Sequence, residues 1–151
     1  MTEFLEAAID KFVFRVAADR RYSLDGVWVL ETATLGQALL GVSDYVQQRS
    51  GDAAFVHLKP IGTRLARGGE LAEIETIKAT LSVVMPLAGE IVAVNKDLDL
   101  NPENVNQEPY GKGWLAVVQV ANWDEDRGKL LTPQAYMSAI ETQARAEMES
   151  S

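Results

Sequence analysis

The chain predicts a mainly β domain with a helix at each end, on three observations. From Ala53 to Val120 the sequence is a series of short apolar stretches broken by Gly, Pro and Asn, the pattern of strands and turns. Two of those stretches recur. Gly51-Asp52-Ala53-Ala54-Phe55-Val56 is echoed by Gly89-Glu90-Ile91-Val92-Ala93-Val94, and Gly69-Glu70-Leu71-Ala72-Glu73-Ile74 by Gly113-Trp114-Leu115-Ala116-Val117-Val118. A turn glycine opens each unit, so two copies predict two interlocked half-sheets. Outside this region the apolar spacing is helical rather than alternating.

Taken in order, Phe4, Leu5, Ala8, Ile9 and Phe12 follow a possible Thr2 cap at helical spacing and predict a leader helix within residues 1–20. Leu39 to Gln48 predicts a short helix ending before Gly51. A strand from Leu71 to Thr76 stops, and a new apolar stretch begins at Leu81, which places Lys78 at the tip of a hairpin. A lysine held clear of the core does little chemistry of its own unless it is buried or acylated, so it reads as an attachment point. Thr132-Pro133 pairs a capping hydroxyl with a proline suited to the first helical position. Tyr136, Ala139, Ile140 and Ala144 then mark one face of a helix running to about Met148, either packed on the sheets or used to dock a partner.

Composition narrows the function. One domain fits 151 residues, and a net charge of −8 with a pI of about 4.6 argues against nucleic acid, which needs clustered Lys and Arg. No apolar run approaches the roughly 20 residues of a membrane span. Met1 to Asp10 carries Glu3, Glu6 and Asp10 and lacks a signal-peptide pattern, so a cytoplasmic protein is expected. There is no cysteine, hence neither a disulfide framework nor a thiol nucleophile, and any redox chemistry must come from a cofactor.

Other constellations reduce to structure. His57 is the sole histidine, and no catalytic or metal motif surrounds it. Glu73 and Glu75 alternate onto one strand face and read as solvated carboxylates. Gly68-Gly69 and Gly111-Lys112-Gly113 lack the spacing and following helix of a phosphate loop and read as turns. Catalysis by the chain itself is not expected, and no metal site is expected.

Around Lys78 the motifs become specific. Glu75-Thr76-Ile77-Lys78-Ala79, Pro86-Leu87-Ala88-Gly89-Glu90-Ile91-Val92, Asn95, Asn101-Pro102, Val105-Asn106 and Pro109-Tyr110-Gly111-Lys112-Gly113-Trp114-Leu115 stand in order. Upstream, Arg21-Tyr22-Ser23, Trp28-Val29, Gly41-Val42-Ser43-Asp44-Tyr45 and Gly51-Asp52 continue the pattern. Over residues 21–121 the chain resembles the H proteins of the glycine cleavage system. The resemblance implies a flattened β-barrel of the lipoyl-domain type (a barrel-sandwich hybrid), and the chain differs from it at the ends, where a leader at 1–20 and an extension at 122–151 add to the core. It implies lipoate joined by an amide to Lys78, with Glu75 and Gly89 read by the lipoate-attaching enzyme. A biotin carrier fits less well, since biotinyl lysines usually lie between methionines and the neighbours here are Ile77 and Ala79.

Departures from that family shape the expected partners. Gly26-Val27 precedes Trp28-Val29 where such proteins usually carry His-Glu, and His57 and Lys59 replace a Glu and a Pro. The tail from Asn122 to Ser151 is similar to H-like lipoate-binding proteins of heterodisulfide-reductase-like sulfur oxidation. The expectation is therefore a swinging-arm carrier serving a heterodisulfide-reductase-like complex. The alternative serves glycine decarboxylase, aminomethyltransferase and dihydrolipoyl dehydrogenase, and a third possibility is an unlipoylated scaffold.

Overall fold

The computed structural model describes residues 2–150. Its first element corrects the leader helix. Strands β1 (Phe4–Ile9) and β2 (Phe12–Ala17) form an antiparallel hairpin with Ile9 opposite Phe12. Leu5, Ala7 and Ile9 on β1, and Phe14 and Val16 on β2, turn inward in strict alternation. The same apolar residues satisfy a helical spacing over ten positions. What selects the strand is the β-rich run Phe12-Val13-Phe14-Arg15-Val16 and a turn at Asp10-Lys11, where Asp10 accepts a positive φ of 57°.

Strands β3 (Arg21–Tyr22), β4 (Val27–Glu31) and β5 (Gln37–Val42) follow, then helix α1 (Asp44–Ser50). The helix expected from Leu39 thus begins five residues later, because β4 and the last long strand of the sheet claim Leu39 and Leu40 for a central strand. Ser43 caps α1, its hydroxyl accepting from the Val46 N–H at 3.3 Å. Next come β6 (Ala53–Leu58), β7 (Arg64–Leu65), β8 (Glu70–Thr76), β9 (Thr80–Val84) and β10 (Gly89–Val94). A 3-10 turn (Lys96–Asp99), the single-turn helix α2 (Asn104–Gln107), β11 (Ala116–Val120), α3 (Trp123–Arg127) and α4 (Pro133–Ser150) complete the chain.

Besides the hairpin there are two sheets. One has the order β3-β4-β5-β11-β10-β7 and the other β6-β8-β9. The sequence repeat maps onto this arrangement: the first copy supplies the antiparallel pair β6-β8 and the second the antiparallel pair β10-β11, one pair in each sheet. The short β7, lying between β6 and β8 in sequence, crosses to pair with β10 and ties the two together. Val29, Leu40, Ile74, Met85, Ile91 and Val118 belong to the main core, which draws on both sheets. The architecture is the expected mainly β, flattened-sheet type.

A second core lies among the hairpin, the six-stranded sheet and α4, built from Phe14, Tyr22, Trp28, Tyr45, Tyr136 and Ile140. Tyr22 stacks on Tyr136 with centroids 4.5 Å apart, and Arg20 lies over the Trp28 ring. The helix start read at Thr132-Pro133 is realised: the Thr132 hydroxyl accepts from Ala135 N–H at 3.2 Å. Tyr136, Met137, Ile140 and Ala144 are buried, so α4 packs on the domain, the first of its two readings.

The departures noted at Gly26-Val27 also find a structural cause. Gly26 sits at φ +87°, and a Cβ there would come within 2.3 Å of Val46 and 2.9 Å of the Tyr136 hydroxyl. Val27 is buried. Gly26 accommodates α1 and α4, and Val27 joins the main core, so neither re-shapes an exposed surface.

Candidate functional site

Lys78 stands fully on the surface between β8 and β9, as the hairpin reading requires. The turn is built by Thr76, whose hydroxyl accepts from the N–H groups of Lys78 (3.2 Å) and Ala79 (3.1 Å) and donates to the Ala79 carbonyl. Thr76 N–H also donates to Ala79 O at 2.8 Å. A hydroxyl one residue before the turn can satisfy the groups that a tight reversal leaves open, and here it fixes the backbone that carries the lysine.

The tip is docked rather than free-standing. Ile77 N–H donates to Asp52 O, and the aliphatic stem of Lys78 lies on Gly51: a Cβ there would meet Lys78 Cδ and Cε at 3.4 Å. The Gly51 turn is in turn held by Asn106, whose amide donates to Gly51 O (2.9 Å) and Gln47 Oε1 (3.2 Å) while its oxygen accepts from Ala53 N–H (2.9 Å). Thr76, Gly51 and Asn106 were all present in the motifs read from the sequence. Their roles were not, because each acts through a contact that spacing does not reveal.

Glu75 is half-exposed, its carboxylate 3.5 Å from His57 Nε2 on the neighbouring strand. Glu73 lies opposite His57 and Ser82 and is exposed. His57, exposed, belongs to no metal-ligand cluster among the described residues. Gly89 is elsewhere. It opens β10, at the far end of β9 from the tip, about 15 Å by strand rise. Its hydrogen faces β11 so closely that a Cβ would lie 2.6 Å from Gln119 O.

Beside Lys78 lies a cavity of about 440 Å³ whose lining includes Phe12, Phe14, Tyr45, Arg49, Lys78 and Glu147. Arg49 pairs with Glu147 at 2.7 Å across it. The Tyr45 ring meets Phe14 edge-on at 5.0 Å and has the Arg49 guanidinium 5.4 Å from its centroid. Burial pushes the Tyr45 hydroxyl pKa up, opposed by the charge of Arg49 and reinforced by that of Glu147. A side-chain hydrogen bond with Glu147 adds to the rise. The geometry is that of an exposed amine on a hydrogen-bonded turn beside a hollow, in a mainly β domain.

That class of protein is narrowed by comparison. The profile described as glycine cleavage H-protein matches residues 20–143. The probable glycine cleavage system H protein of Pyrococcus horikoshii is 34% identical over 131 residues, covering 85% of this chain and 95% of the relative. The glycine cleavage system H protein of Xanthobacter autotrophicus is 40% identical over 124 residues, covering 82% and 97%. A crystal structure of the H protein from Mycobacterium marinum superposes with a TM-score of 0.71 at 30% identity, over 80% of this chain and 95% of that one.

The chain belongs to the glycine cleavage H-protein family. It is accordingly a non-catalytic carrier whose cofactor is lipoate, held covalently on a lysine. These relatives support glycine cleavage and give no support to the heterodisulfide-reductase-like branch expected from the tail. No helix among the described residues is long and apolar enough to cross a membrane.

Proposed function

We propose that Lys78 is the lipoylated residue and that the chain carries an aminomethyl group from glycine decarboxylase to aminomethyltransferase, its arm then being reoxidised by dihydrolipoyl dehydrogenase in the cytoplasm. The observation that carries this reading is the built turn: Lys78 is exposed at a tip whose backbone is fixed by Thr76 and whose stem rests on Gly51. The residues fit the group, for an acylated lysine there would extend over a hollow of about 440 Å³, within the roughly 300–1,000 Å³ of small-molecule sites.

When bound, lipoate supplies a ring disulfide that opens to take up a group and recloses on reoxidation. The chain's part is positional. Thr76 and Asn106 hold the tip, while a surface with net charge −8 steers the carrier toward basic partner sites. A cysteine-free chain offers no thiol to compete with the arm. Glu75 is read directly by the lipoate-attaching enzyme, within the same hairpin as the acceptor amine. Gly89 contributes indirectly, by letting β10 approach β11 in the six-stranded sheet, which shares a core with the three-stranded sheet that carries the hairpin.

The test is glycine-dependent loading. Lipoylated protein incubated with glycine and glycine decarboxylase of its own organism gains the mass of an aminomethyl group on Lys78. Failure to load, with a decarboxylase that loads another H protein in the same assay, would refute glycine cleavage as the pathway.

A further inference from the structure

The three-stranded sheet carries a short row of side chains up to the attachment turn. Phe55 and His57 on β6 stand opposite Glu75 and Glu73 on β8, and β9 sets Thr80 and Ser82 beside those two carboxylates. Antiparallel pairing puts Glu73 directly across from His57, yet Glu73 forms no ion pair among the described residues. The imidazole turns instead to the diagonal neighbour, its Nε2 lying 3.5 Å from Oε1 of Glu75. Phe55 accompanies that lean: its ring stacks on the imidazole at 6.3 Å with 17° between the planes, on the side of the strand nearer the tip.

Glu75 lies three residues before the acceptor lysine, so whatever holds its carboxylate acts at the attachment point. Among the described residues its ion-pair partner is His57. The other charges around the imidazole are few. On β6 itself Lys59 is taken by Glu70 of β8 at 3.5 Å, and Asp52 precedes the strand. The 3-10 turn that packs against β6 carries Lys96, Asp97 and Asp99, β9 carries no charged side chain, and the tip carries Lys78. Histidine is the side chain that changes charge between about pH 5 and 8. His57 thus meets Glu75 in two forms, an uncharged ring that leaves the carboxylate free and an imidazolium that pairs with it.

We infer that His57 is a positioning residue for lipoate attachment: its neutral ring leaves Glu75 open to the attaching enzyme, and its protonated ring claims that carboxylate and sets a cation beside it. The inference rests on Glu75 being read by that enzyme. A group that reads a carboxylate is a basic or N–H donor, and an imidazolium 3.5 Å away opposes it twice, by sharing the acceptor and by like-charge repulsion. In the free chain the pair is open to water and contributes little to folding. A docked enzyme excludes that water, and the same charges then weigh more. Lipoylation of this chain accordingly slows on acidification through His57, while stability does not depend on the pair.

The experiment uses the unmodified full-length chain with ATP, lipoate and a purified lipoate ligase that modifies it, the initial rate of adduct formation being read by intact mass from about pH 5.5 to about pH 8. At each pH the wild-type rate is divided by that of His57→Gln, which cancels the enzyme's own titration. The ratio is close to unity at the upper end and falls at least three-fold at the lower end. In a Glu75→Gln background it stays flat, because the group through which His57 acts is gone. Glu73→Gln, opposite His57 but outside the pair, keeps the wild-type fall. A flat ratio in the wild-type background would overturn the inference. So would an equal fall with Glu75→Gln, which assigns the effect to contact between His57 and the enzyme alone, and so would a fall in rate that tracks a lowered thermal midpoint, which marks a structural role. Glu75→Gln modified as fast as wild type at the upper end refutes the reading of Glu75 itself, and this role of His57 with it, a result distinct from a flat ratio.

Discussion

Replacing Asn106 by Ala removes the clamp on the turn that supports the arm lysine. Three hydrogen bonds go: two donated, to Gly51 O and Gln47 Oε1, and one accepted from Ala53 N–H. Gln47 can turn its side chain to water, so its bond costs little. The two backbone groups are partly buried and lose their bond to the Asn106 side chain, at about 1–1.5 kcal/mol each. The sum is about 2–3 kcal/mol. For a chain of this size a kcal/mol corresponds to roughly 2–4 °C, so the midpoint should fall by about 4–12 °C in a calorimetric or circular-dichroism melt. The Gly51 turn also loses its tie to α2, so enzymatic lipoylation of the folded variant should slow. Asn106→Asp keeps the acceptor for Ala53 but sets a carboxylate against the Gly51 carbonyl. Its carboxyl pKa should be raised in the folded state, and its stability should recover relative to Asn106→Ala as pH falls. A midpoint within 2 °C of wild type for Asn106→Ala would refute the reasoning, showing that the turn is held by other contacts.

Three further outcomes follow from the same geometry. Gly89→Ala places a methyl 2.6 Å from Gln119 O, which backbone alone can relieve, so stability should fall by about 1–3 kcal/mol in denaturant titration while lipoylation per folded molecule is unchanged; equal stability would show that the strands separate freely. Glu75→Gln removes a charge-assisted contact worth roughly 1.5–3 kcal/mol to the attaching enzyme, and should slow attachment about ten-fold or more in a purified ligase assay; equal rates would make Glu75 a solvated strand residue. Tyr110 is pushed up to about 12 by burial above all, and Tyr22 and Tyr136 are raised further for the same reason. Groups raised in the folded state stabilise it below pH 10 and lose that contribution as pH rises through the folded value. Stability should therefore decline from pH 10 to 12, with tyrosinate absorbance appearing together with unfolding; a smooth non-cooperative titration near pH 10 would contradict the buried aromatic core.

The site was more legible than its surroundings. The repeat at Gly51 and Gly89 and the break between Thr76 and Leu81 located the paired strands and the tip, because turn residues and alternation are local signals. The leader was misread because Phe4, Leu5, Ala8, Ile9 and Phe12 fit a helical spacing, while the turn at Asp10-Lys11 and the β-rich run after it decide for strands, which then pack on α1 and α4. Leu39 and Leu40 were assigned to a helix because a central strand, buried on both sides, shows no alternation. The pathway expectation failed for a related reason. Gly26 and Val27 looked like altered surface, but Gly26 is packed against α1 and α4 and Val27 lies in the main core, and burial is invisible in a single sequence.

Peptide mapping and intact-mass measurement of the protein from its native host test the central claim most directly. A lipoyl adduct on Lys78, and none in Lys78→Arg at an unchanged thermal midpoint, is the predicted result, since an exposed turn side chain contributes little to stability. A lipoyl group on another lysine only, or an unmodified chain under lipoate-replete growth, would contradict it.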